Sequence, residues 1–271
     1  MSAPRAPIVR APRQSLRDGV WSGGAREVPE ETPIAIVVDG GAEAVMMATP
    51  ADIEDFAYGF ALTEGIVTKL ADIRDLEIVH ADLGVEARLW LVEGARNELA
   101  QRRRRRVGPV GCGLCGVESL TDAMRPVEAV KSAFVLGAGE IIAAMARLPT
   151  LQHLNAQTRA VHAAAFYTPD EGVVALREDV GRHNALDKLV GALARAGRDA
   201  SDGALLMTSR VSIELVQKAA YARAPILAAI SAPTALAVRT AESAGIAVCG
   251  IVRDNGLEVF THPERITRDA D

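Results

Sequence analysis

Short apolar segments alternate with amphipathic segments through the second half of the chain, and this alternation constrains the fold more than any other feature. The apolar segments are GVVALREDV, GALLMTS, PILAAIS and IAVCGIV, separated between residues 172 and 252 by stretches of helical periodicity. Strand–helix units of this kind predict a largely parallel or mixed sheet with helices on both faces. We therefore expect an α/β domain over residues 106–271.

Residues 31–105 predict a smaller α+β domain. Segments 34–38 and 42–47 flank an Asp-Gly-Gly turn, as in a β-hairpin. Thr49 and Pro50 are typical of a helix N-cap and first helical position. The apolar residues behind them recur at helical spacing: Ile53, Phe56, Ala57, Phe60 and Ala61. Two further strands are expected, over residues 76–80 and 85–92.

Two stretches show neither the helical nor the strand periodicity of apolar residues. Residues 1–30 contain prolines and scattered arginines, and we expect an extended or partly disordered arm there. Residues 98–111, which include five consecutive arginines, are expected to form a loop.

The composition excludes several classes of protein. Three cysteines in 271 residues argue against a disulfide-built secreted fold and fit a reducing compartment. No apolar run is long enough for a bilayer span, and the N-terminus lacks the apolar segment of a secretory signal. The net charge of −5 argues against nucleic acid as a partner. We therefore expect a cytoplasmic protein with no nucleic-acid or membrane partner.

Four polar stretches follow predicted strands and should meet at one edge of the sheet. Ligands of α/β folds bind there, at the carboxyl ends of strands beside helix N-termini. The candidate binding residues are Gly181, Arg182, His183, Ser209, Arg210, Ser231, Thr234, Gly250, Ile251, Val252, Arg253, Asp254 and Asn255. Their arginines and hydroxyls predict a pocket for an anionic, phosphate-bearing ligand. Each stretch alone is explained as well by helix capping, but their equivalent positions favour a site.

The polar cluster REDVGRHNALDK, residues 177–188, contains one of these stretches. His183 stands at an expected helix start, where it could donate a hydrogen bond while neutral or hold an anion when protonated. Asp187 and Lys188 could equally form an exposed pair on a helix face.

Cys112 and Cys115 form a C-x-x-C pair in a glycine-rich stretch directly after the arginine run. Neighbouring arginines favour the thiolate, and an activated thiol on a mobile loop suits a carrier that visits two partners. A zinc site is less favoured because there is no second C-x-x-C and the histidines lack ligand spacing. A redox pair is also less favoured, since it would begin a helix in a βαβ unit. Cys249, in an apolar strand, is expected to be a buried core cysteine.

Five segments together resemble the FdhD family of formate dehydrogenase accessory sulfurtransferases. They are MMATPADIEDFAYGFALTEGIV, GCGLCG, EDVGRHNALDKLVG, SRVSIELVQKA and SAPTALAVRTAESAGIAVCGIVR, and the resemblance covers residues 33–260. It implies a cytidine-deaminase-like three-layer α/β domain joined to a smaller N-terminal α+β domain. One departure is Arg159-Ala160, where the family commonly carries two glycines before its histidine, here His162. Losing those glycines restricts close backbone approach to a ligand.

The resemblance implies sulfur delivery. A cysteine desulfurase would pass a persulfide sulfur to Cys112, with Cys115 assisting or sharing the role. The sulfur would then reach molybdenum in a bis-molybdopterin guanine dinucleotide cofactor before that cofactor enters formate dehydrogenase. The strand-end pocket would hold this cofactor as a bound substrate. The resemblance also implies a homodimer, and no structural metal is expected. The alternative is a non-catalytic chaperone of the molybdenum cofactor, in which the cysteines would be dispensable.

Overall fold

The computed structural model describes residues 3–106 and 127–268, so the C-x-x-C pair lies outside the described residues. The N-terminal elements are β1 (Ile8–Arg17), β2 (Val20–Pro29), β3 (Thr32–Val38), β4 (Gly41–Ala48), α1 (Ile53–Thr63), β5 (Ile73–Ala81), β6 (Gly84–Leu91) and α2 (Glu93–Arg106). Strands β3 to β6 form a four-stranded sheet in the order β4-β3-β6-β5.

The pattern of this N-terminal sheet confirms the predicted hairpin and strands. Asp39 and Gly40 take positive φ angles of 49° and 82°, which closes the turn between β3 and β4. Alternate residues of β6 are buried, as the period-two pattern predicted. They share one core with the apolar stripe of α1, which includes Phe56 and Phe60.

The structure differs from the sequence-based expectations at three places. Helix α1 begins after Asp52, which has a φ of 52°, rather than at Thr49 and Pro50. Residues 98–106 are helical rather than a loop, because arginine is a good helix former and its charge is favoured at a helix C-terminus. The expected N-terminal arm contains a hairpin, in which β1 pairs with β2 across Asp18 and Gly19, both at positive φ.

The C-terminal part is built around a mixed six-stranded sheet in the order β13-β12-β11-β10-β8-β9. Its elements are β7 (Leu136–Gly137), α3 (Ala138–Leu151), α4 (His153–Thr158), β8 (His162–Thr168), β9 (Gly172–Asp179), α5 (Arg182–Arg195), β10 (Ala204–Met207), α6 (Ile213–Tyr221), β11 (Ile226–Ala229), α7 (Ala235–Ala244), β12 (Ala247–Arg253), β13 (Gly256–Val259) and β14 (Ile266–Thr267). Strands β10, β11 and β12 are parallel, whereas β8 and β13 run antiparallel to their neighbours.

Helices cover both faces of this sheet, as the alternation predicted. One face packs against α5, α6 and α7 through residues such as Leu205 and Leu227. The other packs against α3 and includes Cys249. Cys249 is fully buried, so the prediction of a buried core cysteine is confirmed, and burial raises the pKa of its thiol to about 12. Among the described residues, no helix is both long and apolar enough to cross a membrane.

Helices α1 and α5 cross at two glycines, and this contact joins the two parts of the molecule. A Cβ atom on Gly59 would collide with the carbonyl oxygen of Asp187, and one on Gly191 would collide with that of Asp55. The two backbones therefore approach more closely than any side chain allows.

Replacing Gly59 with alanine should lower the free energy of unfolding by about 3 kcal/mol, since the added methyl group has no space and both backbones must shift. Chemical denaturation measures the effect. Gly94→Ala is the matched control, because nothing lies within 4 Å of a Cβ at that helical position. Equal stability of the two variants would contradict the close helix contact.

Candidate functional site

The four polar stretches selected from the sequence lie along one edge of the six-stranded sheet. Strand β9 is antiparallel to β8, which is antiparallel to β10, so β9 runs in the same direction as β10, β11 and β12. The carboxyl ends of these four strands therefore point the same way, and α5, α6 and α7 begin beside them. This edge is the candidate site.

Hydrogen bonds between neighbouring loops hold this edge in place. Thr208 donates its N–H to the carbonyl of Ala163 (3.1 Å) and accepts the Ala163 N–H at its hydroxyl (2.7 Å). The Thr234 N–H donates to the Val211 carbonyl (3.0 Å). The loop after β10 is therefore joined to strand β8 and to the loop before α7, and not only to its own strand.

Capping accounts for some of the candidate hydroxyls. The Thr234 hydroxyl accepts the Ala237 N–H (3.2 Å) at the start of α7. The buried Ser209 hydroxyl donates to the carbonyl of Arg210 (3.0 Å). The Ser231 carbonyl accepts the Ile251 N–H (3.4 Å). These three residues have structural partners, and the exposed Arg210 side chain is freer to meet a ligand.

The last stretch, residues 250–255, forms the end of β12 and the turn to β13. Gly250 is needed because a Cβ there would meet the side chains of Phe260 and Pro233, at 2.8 and 3.0 Å. Ile251 has a φ of 52°, within an irregularity of the strand pairing. The Val252 side chain is fully buried in the core, which leaves it no access to a ligand. Arg253, Asp254 and Asn255 are exposed at the edge.

His183 lies in the first turn of α5, between that helix and α6. Its Nε2 atom is 3.2 Å from the Ser212 hydroxyl and 3.8 Å from the Glu214 carboxylate. Burial, reinforced by the charge of Arg182, lowers the pKa of His183 from 6.5 to about 4. The ring is therefore neutral at physiological pH, which favours hydrogen bonding over the anion-holding role. The sequence analysis did not select Ser212, although its place before α6 is typical of an N-cap.

The free energy of unfolding should rise as the pH increases from about 4 to 6.5, because of the lowered pKa of His183. In this window the unfolded chain binds the imidazole proton and the folded protein does not, so folding is penalised as the pH falls. Relative to His183→Gln, the wild type should lose on the order of 2 kcal/mol of unfolding free energy from pH 6.5 to 4.

Denaturation curves at several pH values measure this difference. His262→Gln is the control of opposite sign, because hydrogen bonds to the Glu242 carbonyl and to Glu264 raise the pKa of His262. A wild-type curve parallel to that of His183→Gln would contradict a neutral, buried ring.

The polar cluster at residues 177–188 also clamps the two parts of the molecule together. Asp179 and Lys188 form a fully buried ion pair at 2.7 Å. Lys188 Nζ also donates to the Thr49 carbonyl (2.9 Å), and the Thr49 N–H donates to Asp179 (2.9 Å). The Thr49 hydroxyl accepts the Val180 N–H (3.1 Å). Thr49, which the sequence suggested as a helix cap, instead connects β4 to the start of α5.

Asn184 extends this clamp. Its amide donates to the Met47 carbonyl (2.8 Å) and to Asp179 (3.0 Å). Gly181 donates its N–H to the same carboxylate (2.8 Å), and a Cβ on Gly181 would lie 2.8 Å from the Asn184 amide nitrogen. Gly181 is therefore required by packing within the clamp.

Asp187 and Lys188 do not form an exposed helix-face pair, as one interpretation of the sequence held. Their exposures are 1% and 0%. Asp187 accepts hydrogen bonds from Lys218 Nζ (2.9 Å) and the Thr63 hydroxyl (2.6 Å). Lys218 also pairs with Glu64 at 2.7 Å. Burial lowers the pKa of Lys218, but the two carboxylates outweigh it and the net pKa is raised, so the lysine stays charged.

Lys188→Met should destabilise the protein by about 3–5 kcal/mol, because it leaves the Asp179 carboxylate buried without its counter-ion. Thermal and chemical unfolding measure the loss. Arg88→Met removes an exposed ion pair with Glu86 and should cost no more than about 1 kcal/mol. A loss for Lys188→Met as small as the control's would mean that the buried pair does not hold the clamp.

Arg159 shows how the backbone accommodates the departure from the family pattern before His162. Arg159, which stands where the resemblance predicts glycine, ends α4 with a φ of 53°, a left-handed conformation that glycine adopts without strain. Among the described residues, no three or more His, Cys, Asp or Glu side chains form a group able to hold a metal ion.

Comparisons with known proteins agree on one family. The family model described as FdhD/NarQ matches residues 29–267. The chain is 50% identical over 260 residues to the sulfur carrier protein FdhD of Agrobacterium fabrum, covering 95% of each chain. It is 50% identical over 244 residues to that of Cupriavidus necator, covering 90% of this chain and 85% of the relative. The crystal structure of a putative formate dehydrogenase accessory protein from Desulfotalea psychrophila has the same fold, with a TM-score of 0.76 at 24% identity, over 97% of this chain and all of that one. The chain therefore belongs to the FdhD/NarQ family.

Proposed function

We propose that this protein carries sulfur from a cysteine desulfurase to the molybdenum of a bis-molybdopterin guanine dinucleotide cofactor, for the maturation of formate dehydrogenase. The observation that supports it most is the 50% identity, over nearly the whole chain, to relatives named sulfur carrier proteins. The geometry of the strand-end edge is compatible with a large anionic cargo.

The loading step uses Cys112 as the nucleophile. Its thiolate attacks the outer sulfur of the donor persulfide, a new S–S bond forms on Cys112, and the donor's S–S bond breaks. The donor cysteine leaves as a thiolate, so the step needs no external oxidant or reductant. The adjoining arginines, residues 102–106, favour the attacking thiolate over the thiol.

Release takes one of two routes. Cys115 attacks the Cys112 sulfur, which gives a Cys112–Cys115 disulfide and frees hydrosulfide for the metal. Two external thiols then reduce the pair and leave as a disulfide of their own. Alternatively, the outer sulfur would go directly to the metal of the cargo: the S–S bond would break, a reduced metal centre would supply the two electrons that make the sulfur sulfide, and Cys112 would leave as a thiolate. Only the first route leaves a Cys112–Cys115 disulfide, so the two are distinguishable after one turnover.

The strand-end edge binds the cofactor as cargo. Arg182, Arg210 and Arg253 are the cations placed there for its phosphates, and helix N-termini add free N–H groups. The Arg182 Nε atom is buried and has no hydrogen-bond partner among the described residues, so its N–H group is left unsatisfied beside this edge. The neutral His183 acts as a hydrogen-bonding group, while Val252 serves only the core.

The finer assignments belong to the same proposal. We place the protein in the cytoplasm as a homodimer, with a small domain over residues 31–105 and a cytidine-deaminase-like domain over residues 106–271. The mixed sheet with helices on both faces is compatible with that domain type.

Incubation with an active cysteine desulfurase and cysteine should add sulfur to the peptide that carries Cys112, as read by intact and peptide mass. Cys112→Ala should abolish loading and the maturation of formate dehydrogenase. Cys249→Ala is the control and should load normally, because the Cys249 thiol is buried and protonated. An unmodified wild-type peptide would instead support the cofactor-chaperone alternative.

A further inference from the structure

Arg159 combines an unusual backbone conformation with an unpaired side chain. It ends α4 with a φ of 53° and a ψ of 35°, in the left-handed region that is unfavourable for a residue with a Cβ atom. The side chain is exposed, and among the residues that the structure describes no hydrogen bond or ion pair engages its guanidinium. The chain therefore places a charged side chain where glycine would fit without strain.

The backbone around Arg159 is held in place at both ends of α4. The Arg159 N–H donates to the Asn155 carbonyl (2.8 Å) at the end of the helix. At its start, the N–H groups of Leu154 and Asn155 both donate to the Glu178 carboxylate, each at 2.8 Å. These contacts fix the backbone position of Arg159 and leave the direction of its side chain to other contacts.

The connectivity of the sheet places Arg159 at the candidate edge. Strand β8 runs antiparallel to its neighbours β9 and β10, so it begins where those strands end. Its first residue, His162, is paired with Asp179 at the end of β9, and the His162 Nδ1 atom is 3.2 Å from the Thr208 carbonyl after β10. Arg159 is three residues before His162, a chain length of at most about 11 Å. It therefore lies beside the ends of β9 and β10.

Arg159 adds a cation to two others at this part of the edge. Arg182 follows β9 and Arg210 follows β10, on either side of the start of β8. The carboxylate at the end of β9, Asp179, is engaged in its buried pair with Lys188 at 2.7 Å. Like charges gathered around one short stretch are unfavourable, and an anion bound among them offsets their repulsion.

Resting on the proposed function, we propose that Arg159 is a phosphate-binding residue of the candidate edge, which holds the phosphates of the guanine dinucleotide cargo together with Arg182 and Arg210. A guanidinium presents paired N–H donors that match two phosphate oxygens, and a fixed backbone limits the entropy lost on binding. The glycine that the resemblance predicts at this position would allow close approach of the backbone, whereas in this chain the side chain supplies the contact.

Isothermal titration calorimetry of the full-length protein with GDP, and separately with inorganic pyrophosphate, tests this role. Arg159→Gly should raise both dissociation constants about tenfold, and the difference from the wild type should shrink at high salt. Arg159→Lys should recover only part of the affinity, because it restores the charge without the fork of donors. Arg159→Asn, which also tolerates the left-handed conformation, should weaken binding as the glycine variant does.

Arg223→Gly is the matched control. Arg223 is also an exposed arginine with a positive φ, of 62°, but it follows the end of α6, a helix that begins at the candidate edge. It therefore lies at the opposite edge of the sheet. Both glycine variants should unfold at or above the wild-type temperature, because glycine adopts this conformation without strain. Only Arg159→Gly should lose affinity.

Equal affinity of Arg159→Gly and the wild type overturns the proposal and leaves Arg159 as a cation favoured at a helix C-terminus. An equal loss for Arg223→Gly overturns it as well, since the effect would then come from net charge. A wild type that binds neither probe overturns the cargo site at this edge together with the role of Arg159. Persulfide loading, measured on the same protein, separates the two proposals: failure to load overturns sulfur transfer, while the calorimetric result alone decides the role of Arg159.

Discussion

The buried ion pair of Asp179 and Lys188 is the interaction on which the rest of the structure depends. Taking two charges fully out of water is costly, and the cost is offset only when their remaining hydrogen-bonding groups are satisfied. Those partners come from both parts of the chain: the Thr49 backbone on one side, and the Gly181 N–H and the Asn184 amide on the other. The pair is therefore tolerable only when the N-terminal sheet is docked against α5. The start of α5, and with it the candidate edge, is in place only in that docked state.

Further buried ion pairs line the contact between α1 and α5 and hold the two parts of the molecule together. Asp55, which is 4% exposed, binds Arg177 on β9 at 2.8 Å and Arg195 near the end of α5 at 2.6 Å. At the other end of α1, Thr63 meets the Asp187–Lys218 pair. Between these ends the helices touch through glycines, so the axial position of one helix on the other is set by charge pairs rather than by interlocking apolar side chains. His183 lies one turn before Asp187 on α5, so the contacts that fix this helix also fix the position of His183.

The spacing of apolar residues predicted most of the fold, because residues that recur at the period of a strand or helix lie on the buried face of that element. The half-buried β6, the stripe of α1 and the strand–helix units around the sheet are examples. The sequence could also place the four polar stretches at one edge, since direction along a sheet follows from strand–helix connectivity. It could not show that Asp187 and Lys188 are buried, because their partners Thr49, Thr63 and Lys218 are distant in sequence. The β1–β2 ribbon was missed because only its Asp18-Gly19 turn signals it, and its exposed strands carry no apolar alternation.

The described positions on either side of the C-x-x-C pair belong to different parts of the molecule. Helix α2 continues from β6 of the N-terminal sheet, and Arg96 on its first turns binds Asp39 at 3.1 Å. The described chain resumes at residue 127, and the Val130 N–H donates to the carbonyl of Ala244, the last residue of α7. Since α7 begins at the candidate edge, this second attachment lies at the opposite edge of the sheet. The stretch that includes the C-x-x-C pair therefore starts from a helix of the N-terminal part and returns to the C-terminal sheet at the edge opposite the candidate site.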